Sequence, residues 1–220
     1  MPLPRRIPMR LTRPVRQCQA PCHGVLPSRQ AQLSSYRGLV SCRSARAIVR
    51  SMQTWDAITS RRNVRAFADR PIRPDDLDQI LEAGRRSPSS QNWQPWDFVV
   101  VTDRAQLQDL SRVFYGAHHV AGSAATIAVI GPAADNEFGR GEFDLGQATV
   151  SMALAAADLG IGSCHAGVED IELARQVLGL PEDRTWLLLL SLGYPADRPL
   201  APVRRPDRRP FDDVVHRGRW

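Results

Sequence analysis

Four short segments carry residue types and spacings that could do chemistry. The first is Arg61-Arg62-Asn63-Val64-Arg65. Guanidinium forks match phosphate oxygens two bonds at a time, and such charge-assisted bonds are the strong ones. Asn63 adds a neutral donor. Three arginines in five residues also describe a solvated surface, so spacing alone leaves both readings open. The second segment is Ser87-Pro88-Ser89-Ser90-Gln91-Asn92-Trp93-Gln94-Pro95-Trp96, which sets two hydroxyls and three carboxamides within residues 89–94. It reads as a turn-rich loop between a helix and a strand, and loops on a rigid scaffold are where ligands are recognised. Its amides suit a ring with alternating donors and acceptors.

The third segment is Gly160-Ile161-Gly162-Ser163-Cys164-His165-Ala166-Gly167. Its small residues let backbone approach a flat ligand closely. The glycines follow a helix and enter a strand, so they are not a dinucleotide fingerprint, which opens a helix after a strand. Cys164 and His165 are neighbours in sequence. On a strand they point to opposite faces and do not make a nucleophile–base pair. The fourth segment is Arg204-Arg205-Pro206-Asp207-Arg208-Arg209-Pro210. Alone it reads as solvated; paired with the first cluster it could close over one phosphate.

The elements that must position these segments follow from apolar periodicity and punctuation. A short helix spans Thr54–Ser60, with Thr54 as its N-cap. Pro74 opens the next helix at N1, with Asp75 and Asp76 in the first turn where the dipole favours acids. Leu77, Ile80, Leu81 and Gly84 share its buried face. Asp97–Val101 and residues 125–130 read as strands. Leu107, Leu110 and Phe114 mark a helix between them. Leu145, Ala148, Met152, Ala156 and Leu159 form one stripe of a long Ala/Gly-rich helix over 142–159, stopped by Gly160. A further helix covers Ile171–Leu178 and ends at Gly179. Residues 185–192 are apolar on both faces and read as a central strand. Five prolines keep 195–210 extended. The alternation implies helices layered on a small sheet.

The 220 residues hold 29 basic side chains, all arginine, so a lysine nucleophile or Schiff base is excluded. The longest uninterrupted apolar run, the six residues 152–157, is far too short to span a bilayer. Charge is uneven. Residues 1–50 carry ten arginines and no acid, whereas 51–220 carry 19 arginines against 23 acids. The net +6 therefore belongs to the first fifty residues and does not argue for a nucleic-acid-binding body. That segment is rich in Arg, Pro, Ser and Gln, lacks periodicity, and reads as disordered over 1–51. Cys18, Cys22 and His23 resemble half a zinc site without a second pair of ligands. Three readings stand for the segment: a dispensable or wrongly started extension before Met52, an organellar targeting sequence, or an interaction arm.

Taken together, the four segments in this order resemble the nitroreductase family of flavin-dependent oxidoreductases, over about residues 54–215. The matching features are the helix followed by Arg-Arg-x-x-Arg, the Pro-Ser-Ser-x-Asn-x-Gln-Pro-Trp loop, the Leu-Gly-x-Gly helix end and the basic segment before a C-terminal Pro. The resemblance implies an α+β fold in three layers. Helices flank a mixed, mainly antiparallel sheet, and two chains form an intertwined homodimer with FMN at the interface. It implies that Arg61 and Arg208 hold the phosphate, and that Arg62 and Asn63 contact the cofactor. Arg65 is implied beside the flavin N1 and O2 edge, where reduction places negative charge. Pro88, Ser89, Ser90 and Asn92 are implied to reach the ring and ribityl chain from the other subunit. Ala166 and Gly167 are implied to offer N–H groups toward N5.

The chain also departs from the family pattern. Asn63 stands where the family often has Ser, and Pro206 where a Lys commonly precedes the C-terminal Arg. Arg205 and Arg209 are the available substitutes. The body lacks a long insertion that often covers the substrate face, leaving Phe114, Tyr115, His118 and His119 as candidates to close the pocket. The implied activity is FMN-mediated hydride transfer from NAD(P)H to an electron-poor acceptor such as a nitroaromatic, quinone or enone. No catalytic side chain, metal, nucleic acid or membrane is called for, and the implied location is cytoplasmic. The alternatives are a specialised branch (flavin fragmentation, dehalogenation or a biosynthetic dehydrogenase), or a nucleic-acid-binding protein acting through the basic arm. A chain starting at Met52 is expected to fold, dimerise and bind FMN as the full chain does. Loss of soluble expression or of flavin on truncation would show that the segment is needed.

Overall fold

A computed structural model describes residues 53–132 and 141–220. The expected extension over 1–51, its cysteines and the domain boundary beside it lie outside the described residues. Five α-helices are described: α1 (Thr54–Ser60), α2 (Pro74–Arg85), α3 (Arg104–Leu110), α4 (Gly141–Asp158) and α5 (Ile171–Leu178). Four strands, β1 (Asp97–Val101), β2 (Ala125–Pro132), β3 (Gly162–Gly167) and β4 (Arg184–Gly193), form one sheet in the order β1-β2-β4-β3. Among the described residues all three ladders are antiparallel, and the one parallel contact is a bridge between Asn63 and Ser163.

The two-residue period of the central strands divides the core into two layers. Ile127 and Val129 of β2, with Leu190 and Leu192 of β4, pack against Ile80 of α2 and Leu145, Ala148, Met152 and Ala156 of α4. Ala128, Ile130 and Leu189 face the other way, onto Leu107 and Leu110 of α3 and Ala174 of α5. The result is a three-layer α+β body, with β4 central as its apolar sequence requires. The small residues of α4 and α2 bring these helices close. A Cβ added at Gly84 would stand 2.8 Å from Met152 Cγ.

Local chemistry explains where elements start and stop. Pro74 lies in the first turn of α2 beside Asp75 and Asp76, and Gly179 closes α5 in the left-handed region at φ 67°. Two expectations need correction. The cap of α1 is Gln53, and Thr54 is its first helical residue. Helix α3 ends at Leu110, before Phe114. There Ser111 Oγ turns back to donate to Gln108 O at 2.7 Å, and Arg112 and Val113 donate to carbonyls three residues earlier, which tightens the chain out of the α-helix.

One corner of the sheet has no side chains. Gly162 of β3 and Gly193 of β4 are register partners. The strap 61–73 between α1 and α2 crosses this slot. Val64 N–H donates to Ser163 O at 3.0 Å. An added Cβ would meet Val64 Cγ2 at 2.6 Å from Gly162, and Phe67 Cδ1 at 2.7 Å from Gly193. Gly162→Ala is therefore expected to force the strap outward and to cost about 1–3 kcal/mol by overpacking. The check is the urea midpoint, and an unchanged midpoint would show that the corner has slack.

Candidate functional site

The strap presents its residues alternately. Val64 is buried over Gly162, while Asn63 and Arg65 on either side are exposed. Arg61, Arg62 and Asn63 line a pocket of about 560 Å³ together with Trp55, Ile58 and Thr59 of α1 and Val203, Pro206, Asp207 and Arg208 of the tail. Residues nearly 150 positions apart thus meet at one cavity. The meeting is held by named bonds. Val203 N–H donates to Thr59 O at 3.1 Å, and Ala196 N–H to Ala66 O at 3.0 Å. Arg62 Nη2 donates to Asp197 Oδ1 at 2.6 Å and to Arg198 O at 2.9 Å. The Arg62 hydrogen bond, and then one from the Arg198 backbone, hold the Asp197 carboxyl below the usual carboxylate range. Arg61 Nη1 reaches Asn63 Oδ1 at 3.4 Å.

Of the three tail arginines singled out in the sequence, Arg208 reaches this pocket, while Arg205 and Arg209 are exposed outside it, Arg209 donating to Asp213 O at 2.9 Å. Arg65 is not among the residues that line this pocket. Its charge acts on His119 and on Cys164 of β3, under the adjoining part of the sheet. The chain thus gathers Arg61, Arg62, Asn63 and Arg208 at one cavity, while the charge of Arg65, and less strongly that of Arg61, acts on β3. Ala166 of β3 is buried and Gly167 is exposed at the end of this edge strand.

The loop 87–96 is elsewhere in the chain. Pro88 lines another cavity, of about 620 Å³, with Glu142, Phe143, Gly146, Gln147, Val150 and Ser151 of α4. Three non-glycine residues of the loop have positive φ: Gln91 (51°), Asn92 (58°) and Gln94 (53°). Such conformations cost of order 1–3 kcal/mol each and persist where surrounding bonds over-determine them. Here Gln94 N–H donates to Ser89 Oγ at 2.9 Å, Asn92 N–H to Ser89 O at 3.1 Å and Trp93 N–H to Ser90 O at 2.9 Å. Ser90 N–H donates to the Asp144 carboxylate of α4.

The four candidates to close the pocket separate. Tyr115 is 77% exposed and rests against Phe114 with ring centroids 4.4 Å apart, and His118 is exposed. His119 is buried, with Nδ1 3.1 Å from Ser191 Oγ, and so is part of the interior rather than a cover. Ser191, Thr126 and Ser123 continue this contact as a buried chain of hydroxyls. Thr126 and Cys164 are the register partners of Ser191, so this polar row crosses β2, β4 and β3. No cluster of three His, Cys, Asp or Glu able to hold a metal exists among the described residues. No described helix is long and apolar enough to cross a membrane.

Comparison with known proteins gives the family to which the chain belongs. The nitroreductase family model matches residues 58–126 and 117–194. An Archaeoglobus fulgidus protein, provisionally named an NADH dehydrogenase/NAD(P)H nitroreductase, is 36% identical over 172 residues, covering 74% of this chain and 96% of its own. The oxygen-insensitive NADPH nitroreductase of Salmonella typhimurium is 31% identical over 183 residues, covering 76% and 74%. Among solved structures, an FMN-dependent nitroreductase from Clostridium difficile superposes with a TM-score of 0.66 at 25% identity, covering 74% of this chain and 98% of its own. The chain belongs to the nitroreductase family.

Burial, then the charge of Arg65, with smaller contributions from His165 and His118, holds the His119 pKa below the usual value. A histidine whose folded pKa is depressed binds fewer protons folded than unfolded. The native state is then unpenalised above the usual imidazole value of about 6.5 and loses stability as pH falls from there through the folded value. The urea midpoint is expected to drop between pH 7.5 and pH 5, and to drop less in His119→Gln. In Arg65→Gln the imidazole should titrate at higher pH by NMR. An unmoved titration would show that the Arg65 charge does not reach the ring.

Proposed function

We propose that the protein is an FMN-dependent NAD(P)H oxidoreductase acting as a homodimer on small electron-poor acceptors. The observation that carries this reading is the pocket uniting Arg61, Arg62 and Asn63 with Arg208. Its donor set fits a phosphate monoester. Guanidinium forks and an amide line one side, and Trp55, Ile58, Val203 and Pro206 supply an apolar wall. When bound, FMN supplies ping-pong hydride transfer from NAD(P)H to a nitroaromatic, quinone or enone.

The chain's own residues bind and orient. Arg61 and Arg208 grip the phosphate, with Arg62 and Asn63 beside them and Arg205 in reserve on the tail. Arg65 supplies a fixed cation for the pyrimidine edge of the ring, where negative charge is favoured. Ala166 and Gly167 offer backbone N–H groups from the edge strand. The loop with Pro88, Ser89, Ser90 and Asn92 serves the partner's cofactor. That assignment is supported by Pro88 lining a cavity separate from its own chain's arginine pocket. The dimer is supported by α4, whose Phe143 and Val150 are 71% and 57% exposed beside this loop. Residues 1–51 stand outside this reading as a separate, dispensable segment. The reading calls for no nucleic-acid partner, and its expected location is cytoplasmic.

The purified protein is expected to be yellow, with flavin absorbance that dissociates as FMN. Arg61→Ala should weaken FMN binding by about 1.5–3 kcal/mol, roughly ten- to a hundredfold, with little change in the bound flavin's potential. Arg65→Ala should lower that potential and slow reduction by NAD(P)H, with a smaller loss of oxidised FMN. Arg65→Lys should keep part of the effect, because a point charge survives while the fork does not. FMN and redox titrations decide the matter. If both variants match the wild type in affinity and potential, the arginine cluster is a solvated surface and the reading fails.

A further inference from the structure

One face of α4 carries a polar row that neither the family resemblance nor the arginine pocket requires. Asp144, Gln147 and Ser151 lie at i, i+3 and i+7, the spacing that aligns side chains along one side of a helix. All three reach the loop 87–96 or the residues that support it. Asp144 is 1% exposed, in the first turn of α4. Its Oδ2 accepts from Ser90 N–H at 3.0 Å, and its Oδ1 from Gln147 Nε2 at 3.2 Å. Gln147 Nε2 also donates to Pro88 O at 3.4 Å. Ser151 Oγ donates to Gln147 O at 2.9 Å, so its one proton is spent. Ser87 Oγ is then the donor in the 2.8 Å contact between these two hydroxyls.

A buried carboxylate is an expensive way to fix a loop unless the charge itself is needed. A charge-assisted bond to a backbone N–H is shorter and stronger than a neutral one. It is spent here on Ser90, immediately before the strained residues Gln91 and Asn92. Strained backbone holds only if both ends are pinned. Ser89 pins the far end through Gln94 N–H. On the near side Ser90 N–H is bonded to the α4 carboxylate.

We propose that Asp144, supported by Gln147, is a positioning residue that holds Ser89, Ser90 and Asn92 in the conformation that contacts FMN. This rests on the flavin reading of the loop given above. Asp144 itself touches no cofactor; it acts through the Ser90 amide. The same contact gives α4 a second role. The helix that backs the sheet also sets the pose of a loop 54 residues away in sequence.

The experiment uses the full chain with Asp144→Ala, Asp144→Asn and Gln147→Ala, and reads two quantities. The first is hydrogen exchange of the peptide covering 87–96 in the flavin-free protein. The second is FMN affinity, together with the visible circular dichroism of bound flavin. Asp144→Ala is expected to speed exchange of the loop at least tenfold. It should weaken FMN binding roughly ten- to a hundredfold, as befits a lost bond to a charged group, and change the flavin dichroism. Asp144→Asn should recover only part of both, because its one amide oxygen can still accept from the Ser90 N–H while the charge and the acceptor for Gln147 Nε2 are lost. Gln147→Ala should give a smaller change in the same direction. A folded Asp144→Ala protein with wild-type FMN affinity and dichroism overturns the proposal, even if its melting temperature falls, because a purely structural role would do only the latter. If Asp144→Ala does not fold, wild-type exchange and affinity in Gln147→Ala overturn it instead. Absence of FMN binding by the wild-type protein would defeat the flavin reading; loop exchange in the variants would still report whether Asp144 fixes the loop.

Discussion

The structure turns on the side-chain-free corner made by Gly162 and Gly193. These two residues face each other across the β3–β4 ladder, and the strap lies over them through Val64 and Phe67. Without that slot, Val64 could not bury itself while its amide bonds Ser163 O. The alternation that follows is forced. With Val64 turned in, Asn63 and Arg65 are turned out, and Arg61 and Arg62 fall beside the tail rather than over the sheet. The strap also pairs with the outer edge of β3, an otherwise open row of backbone groups. One packing constraint thus covers the start of a sheet edge, at Ser163, and aims the arginines.

The tail depends on the same strap. Pro195 bridges Phe67, Ala196 N–H bonds Ala66 O, and Arg62 holds Asp197 and the Arg198 carbonyl. Each contact ties a residue after β4 to one directly after α1. Arg208 reaches the pocket because the preceding dozen residues are anchored in this way. An exposed ion pair such as Arg62–Asp197 adds little stability by itself. Its value is geometric, since it fixes where an extended, proline-rich segment leaves the body.

Much of this was legible in the sequence, for reasons that are local. The strands at Asp97–Val101 and within β2 and β4 announce themselves as apolar runs, and α4 as a stripe of Leu, Ala and Met at helical spacing. Phe114 misled because it sits four residues after Leu110, in phase with α3. The helix has by then been ended by a hydroxyl at Ser111, which periodicity does not register. The meeting of Arg61 with Arg208 was legible only through resemblance to a family, because no local rule links positions so far apart. Asp144 was missed altogether. Its meaning lies in a backbone N–H contributed by Ser90, and an acid in a helix's first turn ordinarily signifies only a favourable dipole contact. The clue available was an acid directly beside the apolar stripe of α4, on a helix face that has to be buried. His119 was likewise illegible as an interior residue, since its partner Ser191 is 72 residues away.

The arginines also decide what chemistry the site can do unaided. Cys164 lies near enough for Arg65 and Arg61 to favour its thiolate, yet burial outweighs them and pushes the thiol pKa up. A cysteine so placed stays protonated near neutral pH and is a poor nucleophile. His165, its neighbour, is exposed on the opposite face of β3, and His119 is held neutral in the interior. Neither the thiol nor the imidazoles are placed for acyl or phosphoryl transfer. What the residues do provide is fixed positive charge, an apolar wall and small-residue backbone at a sheet edge. That is the equipment of a protein that binds and orients a reactive group and tunes its electrostatics, leaving bond-making to the group it holds.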